Sequence, residues 1–479
     1  MSNPKRYLVN FPWIVFLAAV MLTGIGLLAI YSATLITGHD GQTQVSRAVP
    51  TQGLWLLVGL VALILVVWPS YLKLGRWSYA LYALSLVPLV VLLAARHLGG
   101  IPYLVQARHG AYSWFTIPGT GNTLQPSELT KIAFIMVLAR YLTYRKDHRR
   151  PKGLVLPFLM ALLPTALVIR QPDLGTALMF IPVLLLMLIA AGARFKHLLV
   201  LAGVAILLAP VFYLKIDRYQ QRRIDTWLLA GAVEDFHMQR TAAERDDHRL
   251  SDEQKQQMID RFRGSLRVRL YLAVDRAKGW AGRHMPWLFR PVSARTRLAA
   301  TGAESSESVG RRFLRLHWFV EELLNGPAYQ LHQARVAVAS GGLTGAGLGR
   351  GSQTRNRLLA EARNDFIFAV IAEEWGFLGV LIVIVLYVVI IIFGVDVGLS
   401  TNEPFGKLLA VGVVALIAAQ AFLNMAITVG LMPVTGIPLP LVSYGGSSLV
   451  SAYIAVGLLC NVGVRRYVLD LPQPFEFKD

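Results

Sequence analysis

Glu361-Ala362-Arg363-Asn364-Asp365-Phe366-Ile367-Phe368-Ala369-Val370-Ile371-Ala372-Glu373-Glu374-Trp375-Gly376 is where a long polar stretch of the chain gives way to a long apolar one. Asp365 stands at the last polar step before hydrocarbon, and Glu373 and Glu374 lie about two helical turns further in. A carboxylate at the centre of a bilayer costs about 3 kcal/mol or more unless something pairs with it, and such groups mark function by default. The stretch is therefore read as an active edge. Two readings of Asp365 stand side by side: a helix N-cap, which Asp does well, or a functional carboxylate.

Around this edge the chain is apolar. Of 479 residues 55% are hydrophobic and 16% charged, with mean hydropathy +0.51, against about 25% charged in soluble domains. That composition is an integral membrane protein's. Spanning-length apolar runs fall near 11–35, 53–72, 77–96, 128–144, 153–170, 174–193, 198–214, 366–395, 405–432 and 441–464. The reading is an all-α polytopic membrane protein with ten transmembrane helices and a large external loop between the seventh and eighth. The segments are 1–214, 215–365 with a helical insert at about 228–325, and 366–479. The run behind Lys5 and Arg6 is long enough to stay as a span rather than leave as a signal peptide.

Short basic connections set the orientation. Lys5, Arg6, Lys73, Arg76, the cluster from Arg145 to Lys152, Arg194, Lys196, Arg465 and Arg466 all fall on one side if the spans alternate. That side is assigned to the cytoplasm, with both termini there. The net charge of +19 reflects loops beside anionic headgroups. Basic residues scattered among apolar spans do not make a nucleic-acid surface. The single cysteine, Cys460, permits no internal disulfide.

The connections carry the polar motifs. Tyr103, Tyr112, Trp114, Phe115 and Ile117 give loop 97–127 an interfacial character. Pro126 suits the first turn of the fourth span. Glu128 and Lys131 share a helix face, either as a salt bridge at the helix entry or as a polar contact inside the bundle. Asp173 either caps the sixth span or faces outward beside Arg170. Ser251-Asp252-Glu253-Gln254 is a capping-box pattern, and Arg261, Arg263, Arg267 and Arg269 follow it. The run Gly341-Gly342-Leu343-Thr344-Gly345-Ala346-Gly347-Leu348-Gly349-Arg350-Gly351 reads either as a phosphate cradle, with Arg350 and Arg355 adding charge, or as a flexible turn. It lacks the ending of a Walker loop. Finally, 432–448 holds Pro433, Pro438 and Pro440 with Gly436, Gly445 and Gly446, so the last span begins as a broken segment beside a cavity. Asn424, inside the ninth span, needs a polar partner.

Taken in order, these motifs resemble the SEDS family (shape, elongation, division and sporulation; RodA and FtsW are members). The resemblance rests on Gly110-Ala111 with Trp114, Gln125-Pro126-Ser127-Glu128 with Lys131, and Gln171-Pro172-Asp173-Leu174-Gly175. It continues through Arg222-Arg223-Ile224, Tyr329-Gln330 and the glycine run. It ends on Asp365-Phe366-Ile367-Phe368-Ala369 with Glu373-Glu374, Gly436-Ile437-Pro438-Leu439-Pro440 and Ser443-Tyr444-Gly445-Gly446. Three features depart from the family pattern. Ala360 and Arg363 replace a usual Pro and His, Ser113 replaces a basic residue, and the stretch between Trp227 and Asn325 has no recognised counterpart.

The resemblance implies a peptidoglycan glycosyltransferase that polymerises lipid II at the outer face of the bacterial cytoplasmic membrane, in elongation or division, beside a class B penicillin-binding protein. Asp365 corresponds to the family's essential aspartate, as catalytic base or as ligand of a divalent cation, Mg²⁺ or Mn²⁺. Arg350, Arg355 and Arg363 are expected to contact pyrophosphate, and Glu128, Lys131, Asp173 and Ser443 to shape the substrate site. The rival readings are a lipid II flippase, for which broken helices and intramembrane acids also serve, and a non-catalytic scaffold for the penicillin-binding protein.

Overall fold

The structure, a computed structural model, describes residues 10–37, 43–45, 47–101, 103–105, 112–117, 122–145, 150–216, 218–245, 250–265, 268–269, 271–273, 308–324, 326–359 and 361–466. Lys5, Arg6, Gly110, Ala111, Arg267, Ala360 and the part of the expected insert at 274–307 lie outside the described residues.

Each of the ten apolar runs coincides with a helix. These are α1 (Trp13–Ala33), α2 (Ala48–Val67), α4 (Ser78–His97), α5 (Pro126–Tyr144), α6 (Val155–Arg170), α7 (Leu174–Ala190), α8 (Phe195–Lys215), α14 (Ile367–Leu399), α15 (Pro404–Thr428) and α16 (Gly446–Arg465). Among the described residues seven helices are long and apolar enough to cross a membrane, and Leu174–Ala190 is a shorter apolar helix. α5 owes its lower hydropathy to Glu128, Lys131 and Arg140. Between these run α3 (Tyr71–Arg76), α9 (Arg218–Arg245), α10 (Asp252–Gly264), α11 (Val309–Leu324), α12 (Pro327–Ser340) and α13 (Ser352–Arg355). Two small antiparallel ladders, Leu35–Thr37 with Thr43–Val45 and Phe115–Thr116 with Thr123–Leu124, are the strands among the described residues.

The chain forms two compact units. One comprises Met1–Leu201, Ala337–Ala426 and Thr435–Asp479, the other Ala202–Val336 and Ile427–Val434. These divisions fall inside α8, α12 and α15 rather than at the loop ends read from the sequence. The glycine run and Asp365 thereby belong to the first unit.

In the first unit α16 packs along α2, α1 along α14, α4 along α5 and α6 along α7. α5 and α16 are buried on nearly every side. Asn461 fastens the end of α16 by donating to the carbonyls of Val66 (2.6 Å) and Pro69 (2.8 Å), and Arg465 donates to those of Val67 and Trp68. These bonds satisfy the C-terminal carbonyls of α2, which have no partner within their own helix.

The second unit has its own core. Leu229, Val233 and Phe236 of α9 meet Met258, Ile259 and Phe262 of α10, and Phe313, Leu316, Phe319 and Val320 of α11. The capping box at Ser251 is present: its hydroxyl accepts from Gln254 N–H and the Gln254 side chain accepts from Ser251 N–H. Glu234 sits between His332 and Arg335, whose guanidinium approaches to 2.7 Å.

Candidate functional site

The turn that carries Asp365 is built from left-handed backbone and borrowed hydrogen bonds. Glu361 has φ +54°, its carbonyl accepts from Asn364 N–H at 3.0 Å, and its carboxylate accepts from the Asn364 amide. α14 starts at Ile367. Its N-cap position falls on Phe366, with no side-chain cap. The capping reading of Asp365 therefore gives way: the half-buried residue stands one position before the N-cap.

The broken segment 435–445 holds this turn. Asn424 Nδ2 donates both to the Asp365 carbonyl (2.8 Å) and to the Ile437 carbonyl (2.7 Å). That is the partner the intramembrane asparagine required. Ser443 Oγ accepts from Leu439 N–H (2.8 Å) and donates to the Asn364 carbonyl (2.6 Å). Tyr444 N–H donates to the Arg363 carbonyl at 2.9 Å, and the Arg363 guanidinium lies 5.0 Å from the centre of the Tyr444 ring, within cation–π range. Gln52 reaches in from α2 to Ser443 O and Gly445 N–H, and Tyr387 donates to Pro440 O. A Cβ on Gly175 would stand 2.6 Å from Thr435 O, so the start of α7 presses directly on the same segment. Replacing Asn424 by Leu, close in size, removes both amide bonds. The expected cost is about 1–3 kcal/mol, read as a lower melting temperature in detergent together with reduced catalytic rate.

The glycine run is a splice, which neither earlier reading anticipated. Its N–H groups at Ala346 and Gly347 donate to the carbonyls of Glu373 (3.0 Å) and Glu374 (2.9 Å), while Phe377 and Leu378 donate back to Gly342 and Leu343. α14 breaks at Gly376 (φ 64°, ψ −160°) to admit it. A Cβ there would lie 2.4 Å from Gly345 N. Donors engaged in this way do not cradle phosphate. The two intramembrane acids are likewise structural. Glu373 accepts from Gln353 N–H (2.7 Å), Thr354 N–H (3.2 Å), Thr354 Oγ1 (2.8 Å) and Ser352 Oγ (3.2 Å). Glu374 accepts from Ser32 Oγ, which in turn accepts from Gly349 N–H. Arg350 and Arg355 are exposed on this loop, the first just before the short helix α13 and the second its last residue.

Deeper in the first unit, Lys131 Nζ donates to Glu128 (2.8 Å) and to Gln420 (3.4 Å), Ser451 donates to Glu128 (2.9 Å), and Gln420 donates to Pro438 O (3.1 Å). Both readings of the Glu128–Lys131 pair are thus realised at once, a buried salt bridge that is also a contact inside the bundle. Asp173 caps α7 through Thr176 N–H (3.1 Å) and also accepts from Gln125 Nε2 (2.7 Å), while Gln125 N–H donates to Ser447 Oγ (2.9 Å). Burial pushes the Asp173 carboxyl above its ordinary value against the pull of the Thr176 bonds. Ser113, in place of a basic residue, donates to Gln171 O at 3.0 Å. Asp365, Arg363 and Ser443 are thus directly assembled. Asp173 joins through Gln125 and Ser447, and Glu128 and Lys131 through Gln420. Sequence reading missed Gln52, Gln420 and Tyr387. The available signal was an amide inside an apolar helix, and Gln420 lies one turn from Asn424.

Among the described residues no group of three His, Cys, Asp or Glu side chains could hold a metal ion. Glu373, Glu374, Glu128 and Asp173 already serve other donors.

The fold and the site define a polytopic helical membrane protein with an acid-bearing turn docked on a broken membrane segment. The chain belongs to the cell cycle protein family of FtsW, RodA and SpoVE, whose model matches residues 12–234 and 298–467. The unmatched piece, 235–297, is narrower than the stretch that looked foreign in the sequence. The peptidoglycan glycosyltransferase RodA of Treponema pallidum is 30% identical over 472 residues, covering 96% of this chain and 99% of the relative. Stage V sporulation protein E of Bacillus subtilis is 28% identical, covering 94% and 95%. The fold is that of RodA from Thermus thermophilus in its crystal structure (TM-score 0.55, 21% identity, covering 95% and 98%). It is also that of a chain in a peptidoglycan synthase complex that coordinates polymerization and crosslinking (TM-score 0.60, 22% identity, covering 95% and 98%).

Proposed function

We propose that this protein is a peptidoglycan glycosyltransferase that polymerises lipid II at the outer face of the cytoplasmic membrane. The observation that carries the reading is the near full-length match to a RodA named for that activity, combined with an aspartate-bearing turn whose main-chain carbonyls are held at the edge of the membrane-spanning part. The substrate's tail is lipid and its head is polar, so the reacting sugars belong at such an edge. In this orientation both termini are cytoplasmic.

In the proposed step a sugar 4-hydroxyl oxygen bonds to the anomeric carbon of a second molecule while the bond to pyrophosphate breaks. The hydroxyl proton passes to Asp365 as general base. One displacement converts the α-linked donor into a β-linked product. Arg363, exposed and stacked on Tyr444, stabilises the departing pyrophosphate, with Arg350 and Arg355 on the neighbouring loop adding positive charge. Ser443 positions the turn through the Asn364 carbonyl. Asp173, Glu128 and Lys131 hold the broken segment that forms the floor. A divalent cation at Asp365 would need oxygens from the pyrophosphate itself, the usual manner of Mg²⁺, and no step here depends on it. A class B penicillin-binding protein is the proposed partner. The neighbour from a peptidoglycan synthase complex supports that choice.

The test supplies lipid II to the purified protein in detergent, alone and with its penicillin-binding protein. Glycan polymer is expected. No polymer in either condition would leave a flippase or a scaffold, since both need a bilayer or another enzyme to show activity.

A further inference from the structure

α6 and α8 begin on the same membrane face, because α7 returns between them. Near that face, and away from the Asp365 turn, they enclose a cavity of about 660 Å³. Leu154, Phe158, Leu162, Val200 and Leu201 line it, and His197 is the polar side chain among its lining residues. The His197 Nδ1 atom is buried without a hydrogen-bond partner among the described residues, and a buried polar atom in that state calls for one. The wall is apolar and open to the outside of the bundle: Leu159, Leu162 and Val200 are all exposed.

Positive charge adjoins this cavity on both sides. Arg150 and Lys152 flank the lining residue Pro151, and Arg194 and Lys196 immediately precede His197, all four exposed. The sequence adds Arg145, Lys146 and Arg149 against the single acid Asp147. The opposite end of α6 is where the candidate site lies, since Asp173, just beyond Arg170, is tied to Gln125 and through it to Ser447.

We propose that this groove binds an anionic phospholipid of the leaflet opposite the candidate site. One acyl chain lies along Leu154, Phe158 and Leu162, and the phosphate meets Lys152, Arg194 and Lys196 with the His197 ring as a further donor. The charge complementarity selects this occupant. A neutral lipid leaves the cations without a partner, and a partner helix would have to bury them. Basic residues at a membrane surface each contribute roughly a fivefold gain in affinity for anionic lipid.

The test uses the full-length protein in detergent, with dioleoylphosphatidylglycerol or dioleoylphosphatidylcholine added. Bound lipid is counted by native mass spectrometry and the melting temperature is followed. Phosphatidylglycerol is expected to be retained and to raise the melting temperature, and phosphatidylcholine to do neither. R194Q/K196Q should weaken retention about thirtyfold, and L162W, which fills the groove from its lipid-exposed side, should abolish it. Equal retention of the two lipids, or retention indifferent to R194Q/K196Q, overturns the proposal. So does displacement of phosphatidylglycerol by undecaprenyl phosphate at equal concentration, which would make the groove a polyprenyl-tail site.

Discussion

Asp365→Asn is expected to abolish glycan polymerisation by the purified protein while leaving its melting temperature unchanged. The substitution is nearly isosteric. It spares the bonds that hold the turn, because Asn424 grips the main-chain carbonyl of residue 365 and Ser443 that of residue 364. What it removes is the ability to take a proton. General-base catalysis contributes about 10²–10⁴-fold to rate, so polymer formation from lipid II should fall by that order. The two roles of an aspartate separate cleanly here. If the side chain only accepted hydrogen bonds, the amide oxygen would retain much of that function, and the rate would fall little. Polymer length and rate equal to wild type would remove Asp365 from the mechanism. A fall in melting temperature parallel to the fall in rate would make the residue structural.

Much of this site was legible in the sequence wherever a single side chain had a single physical need. Asn424 in an apolar helix needed a partner and has two. The prolines and glycines of 432–448 forbade a straight helix, and α16 indeed begins only at Gly446. Pro126 and Ser251 start their helices as their chemistry requires. The misreadings share one cause. In the sequence Glu373 and Glu374 read as intramembrane acids marking a functional edge, and the glycine run as a phosphate cradle or a flexible turn, but the run and the start of α14 are joined through main-chain groups. Main-chain bonding leaves no trace in residue identity. Gly341 illustrates this: its Cβ would lie 1.8 Å from Ala372 O, an approach no periodicity announces. The N-cap reading of Asp365 was likewise reasonable from spacing. It gave way because the left-handed Glu361 turn moves the helix start to Ile367.

Glu373→Ala should unlatch the loop that leads into the Asp365 turn, with the largest stability loss of any substitution considered. The side chain is 1% exposed and accepts four bonds, two from main-chain N–H groups of α13. A Cβ on Gly351 would stand 2.5 Å from its Oε2, so α13 is seated directly on the carboxylate. Charge-assisted bonds of this kind are the strong ones, and each buried donor left without an acceptor costs about 1–3 kcal/mol. Two stranded main-chain donors therefore imply a loss of about 2–6 kcal/mol, seen as a lower melting temperature and as new proteolytic cleavage between Gly341 and Leu359. Glu373→Gln separates this account from a catalytic one. The amide keeps one oxygen but turns an NH₂ donor toward groups that are themselves donors, so stability should drop part of the way and activity with it. A catalytic acid would instead lose activity on conversion to Gln with the loop still protected. Full protection of the loop in Glu373→Ala would show that the splice between the glycine run and α14 holds without its carboxylate.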